Sequence, residues 1–105
     1  MQIRQLSMKE LYEAYELVRC IRDISYETFE DLVYEMKEHY TMIGVFQKER
    51  LLALAGLDIV TTLQEGRHIR VYEFVAVDRK SEWELKKYLE DYAKISAAKK
   101  VVYES

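Results

Sequence analysis

Seven consecutive residues in the middle of the chain, Leu51-Leu52-Ala53-Leu54-Ala55-Gly56-Leu57, are apolar without alternation. A strand shows its residues to opposite faces in turn, so a strand with this sequence buries both faces and belongs near the centre of a sheet covered on both sides. A buried helix is the competing reading. The charged turn Lys48-Glu49-Arg50 before the run, and Ile59-Val60-Thr61-Thr62 after it, favour a strand over residues 51–62. The rest of the chain must then supply partner strands and covering helices.

Residues 3–6 read as a short first strand. Ser7 and Glu10 stand three apart as a capping box, which satisfies two free amides at a helix start. Leu11, Ala14, Val18 and Ile21, widened by Leu17, carry that helix to about Arg22. Ser25 can cap a second helix, with Glu27 and Glu30 in its first turn and Phe29, Leu32, Val33, Met36 and Tyr40 along its inner face. Residues 42–47 read as a strand, and Gln64-Glu65-Gly66 as a turn in which Gly66 is free to take positive φ. A strand over 67–78 follows. Ser81 and Glu84 form another capping box, opening a helix over 82–97 that turns Leu85, Tyr88, Leu89, Tyr92 and Ile95 inward. Residues 100–104 make a last strand.

The 105 residues suffice for one domain, 1–105, and leave no room for a second module. A net charge of −3, with both signs mixed along the chain, argues against nucleic acid, because such binders cluster positive charge to displace counterions. No apolar run reaches bilayer length and Met1-Gln2-Ile3-Arg4 lacks a signal peptide's apolar core, so no membrane partner is expected and the expected compartment is the cytoplasm. Cys20 is the one cysteine, so no internal disulfide forms; its place in a helical pattern suggests a small core residue rather than a reactive thiol.

One residue in the strand 67–78 is out of character. By alternation Ile69, Val71, Val75 and Val77 share a face, and Glu73 falls in the middle of it. Desolvation raises the pKa of a carboxylate in such a row unless it is paired. Glu73 is therefore a candidate general base; the alternatives are a bulge that turns it outward, or an Arg or Tyr partner. His39 and His68 lie in different elements without a carboxylate or thiol at ligand spacing, so no metal is expected. Ser7, Ser25 and Ser81 are accounted for as caps rather than nucleophiles.

The order of elements, β-α-α-β-β-β-α-β, resembles the GNAT superfamily of acyl-CoA-dependent N-acetyltransferases. The residues that carry the likeness are Leu17-Val18-Arg19, Met42-Ile43-Gly44-Val45-Phe46 and Leu52-Ala53-Leu54-Ala55-Gly56. Gly66-Arg67-His68-Ile69-Arg70-Val71-Tyr72-Glu73-Phe74-Val75-Ala76-Val77, Tyr88-Leu89-Glu90-Asp91-Tyr92-Ala93-Lys94 and Val101-Val102-Tyr103-Glu104-Ser105 extend it. The resemblance implies an α+β fold: a mixed, mainly antiparallel five-stranded sheet flanked by three helices. It implies acetyl transfer from acetyl-CoA to a small-molecule or protein amine, with backbone groups of Phe74, Val75, Ala76 and Val77 beside the acetyl and pantetheine portion. Arg79 and Lys80 could attract the phosphates.

The chain also departs from that family. Members carry a loop of the pattern Arg or Gln, two residues, Gly, any residue, Gly or Ala, whose amides wrap a pyrophosphate at a helix start. Here Asp78-Arg79-Lys80-Ser81-Glu82 stand instead, with no glycine, and Ser81 and Glu84 are expected to occupy the helix amides themselves. The family's C-terminal helix and strand pair have no counterpart after residue 104, which points to a domain incomplete at that end, with residues 100–104 as an exposed edge that pairs or exchanges with a second copy. Two functions follow. One is an acetyltransferase degenerate in cofactor binding. The other is a non-catalytic dimerisation, protein-interaction or small-ligand-sensing module on the same fold.

Overall fold

The apolar run 51–57 lies in β3 (Arg50–Thr62), the third of five strands, in a computed structural model that describes residues 1–104. Before it come β1 (Gln2–Gln5), a 3₁₀ turn (Met8–Glu10), α1 (Leu11–Val18), α2 (Tyr26–Met36) and β2 (Thr41–Gln47). After it come β4 (Gly66–Ala76), α3 (Arg79–Ile95) and β5 (Val101–Tyr103). The sheet order is β1-β2-β3-β4-β5; the first four strands are antiparallel neighbours, and β5 runs parallel to β4.

Both faces of β3 are covered. Leu54 packs with Leu11, Ala14 and Val18 of α1 and Phe29 and Val33 of α2. On the other side Ala53, Ala55 and Leu57 pack against Leu85, Leu89 and Ala93 of α3. The small residues of the run let α3 approach the sheet closely.

Local chemistry sets the joints. The Ser7 amide donates to the Glu10 carboxylate at 2.9 Å, and Arg4 grips the same carboxylate at 2.8 and 2.6 Å. Those Arg4 hydrogen bonds, and then the Ser7 amide, hold the Glu10 carboxyl down at about 2. Ser25 Oγ accepts from the Thr28 amide at 3.2 Å and starts α2. Lys48 and Glu49 take φ of 51° and 67°, the left-handed pair that matches a two-residue hairpin to the twist of its strands. Gly66 takes φ of 71° at the next hairpin.

Some helical projections end sooner than the spacing suggests. α1 stops at Val18, so Cys20 and Ile21 lie in the turn that follows and are exposed rather than in the core. Leu32 and Met36 of α2 are partly exposed rather than in the core. On α3 the buried stripe is Leu85, Leu89 and Ala93, four apart, and Ile95 is exposed.

Candidate functional site

β4 meets β3 in two registers. Ile69 lies opposite Ile59 and Val71 opposite Leu57, whereas Glu73 lies opposite Gly56 and Val75 opposite Leu54. The extra residue on β4 is Tyr72, a β-bulge that inverts the alternation beyond it. Ile69 and Val71 accordingly pack on the α3 side and Val75 on the side of α1 and α2. Glu73 turns with Val75, so it does not share a face with Ile69 and Val71 as simple alternation predicts.

Glu73 is paired from two sides. The Tyr40 hydroxyl donates to Glu73 Oε1, and Arg22 Nη2 donates to Glu73 Oε2 at 3.1 Å. The same Arg22 nitrogen donates to the Tyr72 carbonyl at 2.8 Å, so the bulge is tied to the end of the α1 segment. Tyr40 can reach Glu73 because residue 56 is glycine: a Cβ there would overlap the Tyr40 phenol. Burial first, and then the Glu73 carboxylate, push the Tyr40 hydroxyl pKa well above its ordinary value. The alternatives left open for Glu73 in the sequence, a bulge and an Arg or Tyr partner, are both present, but the sequence does not identify the partners: Tyr40 reads as part of a helix face and Arg22 carries no signal. A glycine inside an apolar strand is the signal that was available, because it marks a bulge or a close approach.

Among the described residues β5 lies beside β4 only up to the bulge. Their pairing spans Ile69–Val101 to Val71–Tyr103 and goes no further, apart from the Glu104 amide donating to the Val71 carbonyl. Beyond it the Val77 amide donates to Leu52 of β3. By alternation, the backbone groups of Glu73, Val75 and Val77 face β3, and those of Phe74 and Ala76 face the other side. A groove of about 580 Å³ lies at the bulge, walled by Phe74, Tyr103 and Lys86. A second cleft, about 590 Å³, lies under α2, with Leu32, Met36, Tyr40 and Glu73 on its walls and Glu35 and Asp58 adding negative charge. Tyr72 lines both, and Arg22 lines the groove and the 500 Å³ inner continuation of the cleft.

The residues expected to hold a cofactor thus divide. Phe74 lines the groove and Ala76 does not; Val75 packs in the core against α1 and α2, and Val77 is exposed with its amide bonded to β3. Arg79 and Lys80 are exposed in the first turn of α3. The helix start differs from the predicted one. α3 begins at Arg79, and its cap is Asp78, whose carboxylate accepts from the Ser81 amide at 2.8 Å. Ser81 is no cap; it is fully buried, donating its hydroxyl to Asp78 Oδ1 at 2.8 Å and reaching the Leu52 carbonyl at 3.4 Å. The Ser81 amide and then its hydroxyl hold the Asp78 carboxyl below the usual carboxylate range. The Asp78 carboxylate thus holds one of the first amides of α3, and no glycine stands in residues 78–82.

Among the described residues no group of three or more His, Cys, Asp or Glu is placed to hold a metal ion, and no helix is long and apolar enough to cross a membrane.

No protein-family model matches the sequence, and no curated protein matches it significantly. Solved structures do. A GNAT family acetyltransferase from Staphylococcus aureus superposes with a TM-score of 0.85 at 11% identity, over 99% of this chain and 85% of that one. The aminoglycoside 6'-N-acetyltransferase AAC(6')-Ig from Acinetobacter haemolyticus gives 0.82 at 13% identity, over 100% of this chain and 79% of that one. The aminoglycoside N-acetyltransferase AAC(6')-Iy, solved in complex with CoA, gives 0.81 at 10% identity, over 99% and 76%. At such identities the likeness establishes the fold. The chain has the GNAT fold, with the strand order, helix placement and mixed sheet expected for it.

Proposed function

We propose that the chain binds an acyl thioester along the groove at the Tyr72 bulge and transfers the acyl group to an amine, as an acetyltransferase that holds the arm of acetyl-CoA but not its pyrophosphate. The observation that carries this reading is the groove of about 580 Å³ at the Tyr72 bulge, lined by Tyr72, Phe74 and Tyr103, on the side of β4 to which Phe74 directs its backbone. An extended amide-bearing arm such as pantetheine can hydrogen-bond to that backbone as an added strand would. The fold shared with acetyltransferases, one of them solved with CoA, agrees with it.

The amine would enter from the cleft under α2, whose apolar wall and carboxylates suit a cationic amine on an apolar group. It would reach the groove at Arg22 and Tyr72, which join the two. Acyl transfer of this kind depends mostly on positioning and on removal of the amine's proton. Glu73 stands at the junction as the base, with Arg22 and Tyr40 orienting it. Both of its oxygens are occupied by donors, so it takes a proton only when the amine displaces one of them.

The experiment is thermal unfolding with millimolar acetyl-CoA. A ligand at a hundred times its dissociation constant adds about 2.7 kcal/mol. Absence of any shift would overturn the reading. The Asp78 cap favours one second reading, a small-ligand or protein-binding module without acyl transfer; binding without acetylation of any amine in a broad panel would select it.

A further inference from the structure

We infer that Arg22 is the latch of the cleft under α2, a positioning residue that a primary ammonium on an apolar stem must displace from Glu73, so that Arg22 sets the affinity of the cleft for such cations. The inference rests on the reading of that cleft as the amine's entrance, and on no step of acyl transfer. Glu73 has two partners, and they differ in what it takes to remove them. Tyr40 packs against the core under α1 and α2, its ring seated where a Cβ on residue 56 would stand, and its hydroxyl carries no charge. Arg22 comes from the turn after α1, and its side chain is 46% exposed.

Arg22 is also held loosely for an arginine. A guanidinium usually grips a carboxylate through two parallel hydrogen bonds. Here one nitrogen, Nη2, is shared between Glu73 Oε2 at 3.1 Å and the Tyr72 carbonyl at 2.8 Å, while Nη1 turns back to the Ile21 carbonyl at 3.3 Å. The more replaceable partner of Glu73 is therefore the cation.

The seat it leaves fits an ammonium. An ammonium brings three donors, and the two acceptors that Arg22 gives up, Glu73 Oε2 and the Tyr72 carbonyl, lie side by side. Leu32 and Met36 wall both the outer cleft and its inner continuation, so an apolar stem has a surface to lie on. Exchanging one cation for another keeps the largely buried carboxylate paired, which avoids the penalty of an unpaired buried charge. Two cations cannot share that oxygen without repulsion. A neutral molecule of the same shape has no charge with which to release Arg22, and occupies only the apolar wall. Arg22 also lines the groove, where Glu90 and Glu104 stand, so a displaced guanidinium has carboxylates on its other side.

Calorimetric titration of the 105-residue chain at neutral pH with n-hexylamine, which is then an ammonium, and with n-hexanol tests the latch. Arg22→Gln removes the competing charge and is expected to bind hexylammonium about tenfold more tightly than wild type, with hexanol unchanged. Arg22→Lys restores a competing cation and is expected to return the affinity to that of wild type. In Glu73→Gln no carboxylate is contested, so hexylammonium binds more weakly and adding Arg22→Gln no longer helps. A cleft merely loosened by the substitution would gain affinity for both probes, with or without Glu73. Equal or weaker hexylammonium binding in Arg22→Gln, an equal gain for hexanol, or no binding of hexylammonium to either protein at millimolar concentration overturns the inference. Acetyl-CoA separates this from the acyl-transfer reading: a thermal shift with acetyl-CoA but no effect of Arg22 on amine affinity removes the latch alone, and the tenfold effect without any shift supports the latch and removes acyl transfer.

Discussion

Replacing Tyr40 by phenylalanine keeps a ring over Gly56 and deletes a single oxygen, the donor to Glu73 Oε1. A hydrogen bond to a charged group contributes about 1.5–3 kcal/mol. Glu73 keeps Arg22 on its other oxygen, and their side chains are 16% and 46% exposed, so water partly replaces the lost donor. The low end applies, about 1.5 kcal/mol, or a fall in Tm of about 6–12 °C for a domain of this size. pH supplies a second signature. Burial and the Glu73 carboxylate raise the Tyr40 pKa in the folded state. The stability this contributes is complete below the unfolded value of about 10 and is lost as pH rises beyond it, at up to about 1.4 kcal/mol per pH unit. Wild type should therefore lose stability more steeply than Tyr40→Phe above about pH 10. Tyr12, Tyr26 and Tyr103, also raised, are common to both proteins and cancel. Urea unfolding over a pH series reads both effects. Equal alkaline slopes, or a loss under about 0.3 kcal/mol at neutral pH, would refute a buried Tyr40–Glu73 bond.

Gly56→Ala drives a methyl into the Tyr40 phenol and should cost about 1–3 kcal/mol by overpacking; the cost should shrink in a Tyr40→Ala background, as a double-mutant cycle by urea unfolding would read. Ser81→Ala removes the buried hydroxyl between Asp78 and Leu52 and should cost about 1 kcal/mol in the same assay. Glu10→Gln should lower Tm at neutral pH. The Glu10 carboxyl is depressed to about 2 in the folded chain, so the stability it contributes is present above its unfolded value and is lost as pH falls towards 2. Wild type and variant should then melt together at pH 2, in calorimetry.

The central strand was legible because seven apolar residues in a row leave a strand no solvent face, and the helices were legible from three- and four-residue spacing and from Ser7 and Ser25. The face of Glu73 was left open between simple alternation and a bulge, and the bulge is what forms. Alternation carries across a strand only while the register is unbroken, and one extra residue at Tyr72 inverts it. Gly56, opposite Glu73, was the trace of that break. The partners of Glu73 come from Arg22, 51 residues away, and Tyr40, 33 residues away, and no local pattern joins them. The start of α3 was misplaced by a turn because Ser81 and Glu84 mimic a capping box, while Asp78 reaches the Ser81 amide first. The amide that the box was expected to occupy is instead bonded by Asp78, which accepts from Ser81.

The most direct measurement compares the calorimetric affinity of acetyl-CoA with that of acetyl-pantetheine, which has the arm and thioester but no nucleotide or pyrophosphate. If the groove at Phe74 holds the ligand and the start of α3, capped by Asp78, does not, the two dissociation constants lie within about tenfold, a difference of about 1.4 kcal/mol. Tight binding of acetyl-CoA with none of acetyl-pantetheine would place the affinity in the phosphates and contradict the account.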